Sequence, residues 1–165
     1  MKILGFLIII LIIFVIPVAD AQLSIGAKAV QKSVEVIINS DGEVHVKHVV
    51  ISSNLPSQVE LIEGTVSNLV VTNEQGEERD LAVVGDNDAV LIFPSNQNSI
   101  VEYSLEDVLI LNDNLWSFEF SYPQFVSIII PEEIDLVYVN NIPIQLGDKK
   151  GIGCHGCFMN LQYYS

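Results

Sequence analysis

Positive charge is scarce in this chain of 165 residues, where 7 Lys and Arg stand against 21 Asp and Glu for a formal net charge of −14. Nucleic-acid phosphates and anionic lipid head groups are repelled by carboxylates at contact range, so neither is an expected partner. Histidine is limited to His45, His48 and His155, and cysteine to Cys154 and Cys157. The chain has no H-E-x-x-H zinc motif, no G-x-S-x-G elbow, no Gly-rich phosphate loop and no dinucleotide fingerprint. It has no N-x-S/T sequon either. Nothing singles out a nucleophile, and acidic pairs such as Glu132-Glu133 sit in the polar, turn-like context of a solvated surface. The expectation is a protein that is not an enzyme.

One long hydrophobic run is present, from Ile3 to Ile16, followed by Pro17 and the small-residue pattern Ala19-Asp20-Ala21. That is the layout of a secretory signal peptide with cleavage before Gln22. Its 14 residues fall short of the roughly 20 that cross a bilayer comfortably. The alternative is an uncleaved anchor lengthened by Pro17, Val18 and Ala19. No cysteine follows the run to take a lipid. Cleavage removes Lys2 and Asp20 with residues 1–21 and leaves 144 residues carrying 6 basic and 20 acidic groups, still −14. The expected layout is a signal peptide helix at 1–21 and a single domain at 22–165. Its location is secreted or in the extracytoplasmic cell envelope, with membrane contact only through the signal or anchor segment. A domain of this length buries a core without help from disulfides.

Beyond Gln31 the chain alternates apolar with polar residues and is broken every 8 to 12 residues by turn chemistry: Asn39 to Gly42, Asn73 to Gly76, Gly85 to Asp88, Ser95 to Asn98, Asn112 to Asn114, Asn140-Asn141. Short strands at that spacing predict an all-β fold, an antiparallel β-sandwich of Ig-like or related type. Ser33 to Ile38 and Glu43 to Ser52 read as a first hairpin, with Val44, Val46 and His48 on one face and His45, Lys47 and Val49 on the other. Leu115 to Tyr122 places Trp116, Phe118, Phe120 and Tyr122 on one face, expected to be core. Phe125 to Pro131 and Leu136 to Val139 read as separate strands. Asn140-Asn141 suits a two-residue hairpin turn, and Pro143 marks the returning strand as an edge. Only Ser24 to Gln31 has any helical character in the mature chain.

Two places supply atoms for chemistry. The acidic turns Asp86-Asn87-Asp88 and Asn112-Asp113-Asn114 offer hard oxygen ligands for calcium, although Asx residues are equally what turns are made of. The other place is Gly151 to Cys157, GIGCHGC. Phe158 stands where c-type haem attachment needs histidine, which excludes haem. A thioredoxin-like dithiol needs a helix after the motif, and the sequence there reads as a strand. A zinc or copper site would draw on Cys154, His155, Cys157 and Met159. The remaining reading is a disulfide between Cys154 and Cys157. With Gly156 third, C-H-G-C suits a type II turn, whose outer Cα atoms approach within about 7 Å, overlapping the roughly 4.4 to 6.8 Å a disulfide accepts. Export would supply the oxidising compartment.

Several segments resemble archaeal secreted or membrane-anchored cell-envelope β-domain proteins with a C-terminal CHGC motif. They are Val101-Glu102-Tyr103-Ser104-Leu105, Trp116-Ser117-Phe118 leading to Tyr122-Pro123, Val139-Asn140-Asn141 to Pro143, and Cys154 to Tyr163. The resemblance covers under half of the mature chain, and only the last segment is distinctive. It implies an envelope protein with an unidentified protein or cell-surface partner, often tethered by a C-terminal membrane helix, with no catalytic residues to carry over. Here the chain stops at Ser165 on a strand, which suggests free secretion or a truncation before an anchor. The functional expectation is a non-catalytic binding or structural role. The alternative is a metal-binding or thiol-redox module centred on Cys154 and Cys157.

Overall fold

The computed structural model describes residues 26–39, 42–140, 144–145 and 151–164, so the expected leader at 1–21 and Pro143 lie outside the described residues. Among these residues the fold is all-β. The strands are β1 (Ala27–Lys28), β2 (Gln31–Ile38), β3 (Val44–Val50), β4 (Ser57–Glu60), β5 (Thr65–Asn73), β6 (Leu81–Val84) and β7 (Ala89–Ile92). They continue as β8 (Ser99–Glu106), β9 (Leu109–Asn112), β10 (Leu115–Ile129), β11 (Asp135–Val139), β12 (Ile144–Gln145) and β13 (Gly151–Tyr164).

Two sheets form a β-sandwich. The smaller runs β1-β4-β7-β6; the larger has nine strands, ordered β11-β13-β10-β2-β3-β8-β5, with β12 on β13 and β9 on β10. The pairings are antiparallel, as expected of such a sandwich, except that β10 runs parallel to β2 and β1 parallel to β4. Ser24 to Gln31, the one stretch with any helical character, forms β1 and the start of β2 over its described part. There the amides of Ala27 and Ala29 bond the carbonyls of Pro56 and Gln58, which a helix would have turned inward on itself.

Period-two alternation sets the core. Val34, Val36 and Ile38 of β2, Val44, Val46 and Val50 of β3 and Val101, Tyr103 and Leu105 of β8 are buried, and they share one core with Val59, Val90 and Ile92 of the small sheet. Phe118, Phe120 and Tyr122 are buried as their pattern predicts. Trp116 packs at the core margin, its ring stacked on Tyr163 at 6.4 Å between centroids. The turn chemistry also does its work. Asp113 and Asn114 both take positive φ, 50° and 66°, and close the β9–β10 hairpin as a two-residue turn between paired Asn112 and Leu115.

Two segments expected as separate strands, Leu115 to Tyr122 and Phe125 to Pro131, are largely one long strand, β10. Pro123 falls inside it, where a proline cannot donate to the ladder, and the strand tolerates it through a bulge. Tyr122 pairs with Cys157 and Phe125 with His155, so Pro123 and Gln124 together stand opposite the single Gly156.

Candidate functional site

The most distinctive chemistry in the fold lies between its two sheets. His48 is fully buried on the inward face of β3, where its neighbours Val44, Val46 and Val50 are apolar. A polar side chain in that position must find partners. Its Nδ1 lies 2.8 Å from Gln31 Oε1 on β2, and its Nε2 3.0 Å from the Tyr103 hydroxyl on β8. The Tyr103 hydroxyl accepts the Ile62 amide at 2.8 Å. Gln31 Nε2 donates to the Tyr122 hydroxyl at 2.7 Å, and that hydroxyl donates to the Glu60 carbonyl at 2.9 Å.

The two backbone ends fix the direction of every proton between them. Glu60 offers a carbonyl, so Tyr122 must donate there and accept from the Gln31 amide. The Gln31 oxygen then faces His48 Nδ1, which must carry a hydrogen. Nε2 is left as an acceptor for the Tyr103 O–H, and the Tyr103 oxygen receives the Ile62 N–H. The chain is complete only with His48 neutral and protonated at Nδ1. Aromatic contacts back it: the His48 ring stacks on Tyr103 at 5.6 Å and meets Tyr122 edge-on at 5.7 Å.

Burial sets the acidities. It lowers the His48 pKa from 6.5 to about 3. It raises that of the Tyr103 hydroxyl far above its ordinary range, against the opposing bond from Ile62. Tyr122 is pushed up to about 12 by burial, partly offset by the hydrogen bond with Gln31. In each case desolvation disfavours the charged form.

The segment tied down by this chain, Glu60 to Gly64, forms one wall of an open cleft of about 650 Å³. Its charged lining is Glu60, Glu63, Asp86, Asp88, Glu106 and Asp107. One of the two acidic turns singled out for calcium, Asp86-Asn87-Asp88, therefore does face a concave surface. The other, Asn112-Asp113-Asn114, is a hairpin turn and does not line that cleft. Among the described residues, no group of three or more His, Cys, Asp and Glu is close enough to hold a metal ion.

The CHGC segment is not the tight turn its glycine suggests. It runs through β13 as strand, because β10 supplies ladder partners on both sides of the bulge. Gly156, at φ 54°, takes the left-handed conformation the irregularity needs. The inward series on β13 is Ile152 and Cys154 before the bulge, then Met159, Leu161 and Tyr163 after it. The phase slips by one residue between them. Backbone positions 154 and 157 consequently stand opposite Val126 and Tyr122, both inward residues of β10. Cys154 is buried and is not a free thiol. His155 points outward and is exposed while Met159 is fully buried, so the expected metal set is split between the two faces of the sheet. That outer face also exposes Phe125, Tyr138, Phe158 and Tyr164.

Reading the sequence missed the chain through His48. It places His48 on the Val44 face and Tyr122 among core aromatics, but gives no sign that Gln31 and Tyr103 meet them. The available signal was a histidine in phase with valines, since a buried imidazole needs two partners.

No protein-family model and no curated protein matches the chain. Among solved structures, it is similar to an aminopeptidase N family protein from Idiomarina loihiensis, with a TM-score of 0.55 and 6% sequence identity. The match covers 79% of this chain and 29% of that one. At that identity the likeness shows the fold alone, a β-rich architecture that also occurs as part of a much longer chain.

Proposed function

We propose that this protein is an extracytoplasmic cell-envelope β-domain with a non-catalytic binding or structural role. The observation that carries this reading is the use made of its buried titratable groups. Strongly shifted acidities often mark catalytic sites. Here His48, Tyr103, Tyr122 and Gln31 are bonded in one chain whose two ends are backbone groups, the Glu60 carbonyl at the end of β4 and the Ile62 amide in the loop after it. They join two sheets. The leader-like residues 1–21 and the net charge of −14 support export and an extracellular protein or surface partner over nucleic acid.

The test is expression of the full-length chain with its own leader, followed by fractionation and mass analysis. Recovery outside the cytoplasm with Gln22 as the first residue is expected. Recovery in the cytoplasm with residues 1–21 attached overturns the reading.

A second reading, a thiol-redox or metal module, is favoured by one observation: across the bulge, backbone positions 154 and 157 of β13 pair with Val126 and Tyr122, two core-facing residues of β10. In an oxidising compartment the reading of choice there is a disulfide between Cys154 and Cys157. By loop entropy, closing so small a ring contributes roughly 2 kcal/mol. Intact mass separates the cases: a gain of two hydrogens on reduction indicates a disulfide, and loss of a metal mass on chelation a zinc or copper site. Replacing both cysteines by serine leaves a binding module intact and abolishes ion uptake by a metal module.

A further inference from the structure

The end of β4 and the loop that follows it, Leu61 to Gly64, are held to the nine-stranded sheet at two points, the Glu60 carbonyl of the strand and the Ile62 amide of the loop, and both contacts lead to His48. We propose that His48 is an acid-sensitive latch on this loop: neutral, it holds the loop against the large sheet; protonated, it releases the loop and opens the acidic cleft that the loop walls.

The argument rests on where the hydrogens can go. An imidazolium carries N–H on both ring nitrogens. Nε2–H would then face the Tyr103 oxygen, which already receives the Ile62 amide and whose own hydrogen was bonded to Nε2. That hydrogen loses its acceptor, and two hydrogens are turned toward each other in a fully buried site. Rotating the Tyr103 hydroxyl to escape this disturbs the bond that holds Ile62.

The surroundings do not compensate the charge. β8 and β10 present the hydroxyls of Tyr103 and Tyr122, and burial keeps both protonated. From β2 comes only the neutral amide of Gln31. The end of β4 and its loop present the Glu60 carbonyl and the Ile62 amide, while the Glu60 carboxylate turns to Lys28 in an exposed ion pair at 2.9 Å. On β3 itself, His45 and Lys47 point to the other face of the sheet, beside Glu102. A buried charge without a counter-ion is relieved by admitting water.

The loop is the part that can yield. β3 is paired along its whole length, with β2 on one side and β8 on the other, from Val44–Leu105 to Val50–Ser99. The loop buries Leu61 and Ile62 and bonds the Asp88 carbonyl through the Leu61 amide, but it belongs to no strand and exposes Glu63 and Gly64 to solvent. Opening therefore separates the loop from His48 while leaving the sheet in place.

Amide-exchange protection of the full chain, corrected for intrinsic rates, tests this between pH 7 and 4.5 in wild type and His48→Gln. Glutamine keeps one donor and one acceptor but does not titrate in this range. In wild type, Ile62 protection is expected to fall roughly tenfold per pH unit below about 6.5 and to stay well below that of Val46 and Val101 at every pH, since those amides exchange by global unfolding, whose free energy declines with the same slope. In His48→Gln, Ile62 protection is expected to stay level. The proposal is overturned if wild-type Ile62 keeps its protection, if Ile62 is as well protected as Val46 and Val101 and so opens only with the whole fold, or if His48→Gln shows the same fall. Should the variant not fold, the comparison of Ile62 with Val46 and Val101 in wild type decides the matter.

Discussion

His48 and Tyr103 lie on adjacent strands with their rings stacked 5.6 Å apart and Nε2 of one 3.0 Å from the hydroxyl of the other. The contact makes the Tyr103 hydroxyl a junction, donating into the large sheet and accepting from the Ile62 amide of the loop beside the small one. Through it, the pairing of two strands is coupled to the docking of the two sheets.

Two tyrosines make a controlled comparison. Tyr103→Phe leaves the buried Ile62 amide without an acceptor and His48 Nε2 without a donor, and is expected to cost about 1 to 3 kcal/mol. The Tyr163 hydroxyl is buried with no hydrogen-bond partner among the described residues. Tyr163→Phe is therefore expected to be neutral or stabilising by a few tenths of a kcal/mol. Urea unfolding of both variants checks the contrast.

The same chain predicts a stability profile that declines at both ends of the pH scale. His48 is neutral in the fold, with a pKa near 3 against 6.5 when unfolded. Its contribution is complete above pH 6.5 and is lost as pH falls from there toward 3, by about 1.4 kcal/mol per unit. Tyr122 has the opposite sign: its pKa is raised to about 12, so its contribution is complete below pH 10 and lost as pH rises from 10 through 12. Urea midpoints of wild type, taken relative to His48→Gln at low pH and Tyr122→Phe at high pH, isolate the two effects from the carboxylates.

Gly156 is expected to resist substitution for backbone reasons. A Cβ there meets the Pro123 carbonyl oxygen at 3.4 Å, an ordinary contact, but φ is 54°. Gly156→Ala is expected to lower stability by about 1 kcal/mol, and Gly156→Asn by less, since asparagine visits the left-handed region more readily. Unchanged denaturant slopes with shifted midpoints would show that the bulge, and not the fold, has been strained.

The all-β class, the Asp113-Asn114 turn and the inward aromatic row of β10 were legible because each depends on residues close in sequence. The parallel pairing of β10 with β2 was not, since Ser127 and Glu35 meet only in three dimensions. The CHGC motif shows the same limit. Its spacing and glycine suit a turn, but whether the chain turns or runs on is decided by Pro123 and Gln124 on the partner strand. At His48 the alternation gave the burial, while the compensation came from Gln31, Tyr103 and Tyr122, scattered over three other strands.

The central claim, that a neutral imidazole of defined tautomer joins the two sheets, is tested most directly by the nitrogen chemical shifts of His48 in ¹⁵N-labelled protein as pH is lowered from 8. The account predicts a protonated Nδ1, an unprotonated Nε2, and no titration near pH 6.5. A His48 that titrates near 6.5 like an exposed histidine, or that carries its hydrogen on Nε2, would contradict it.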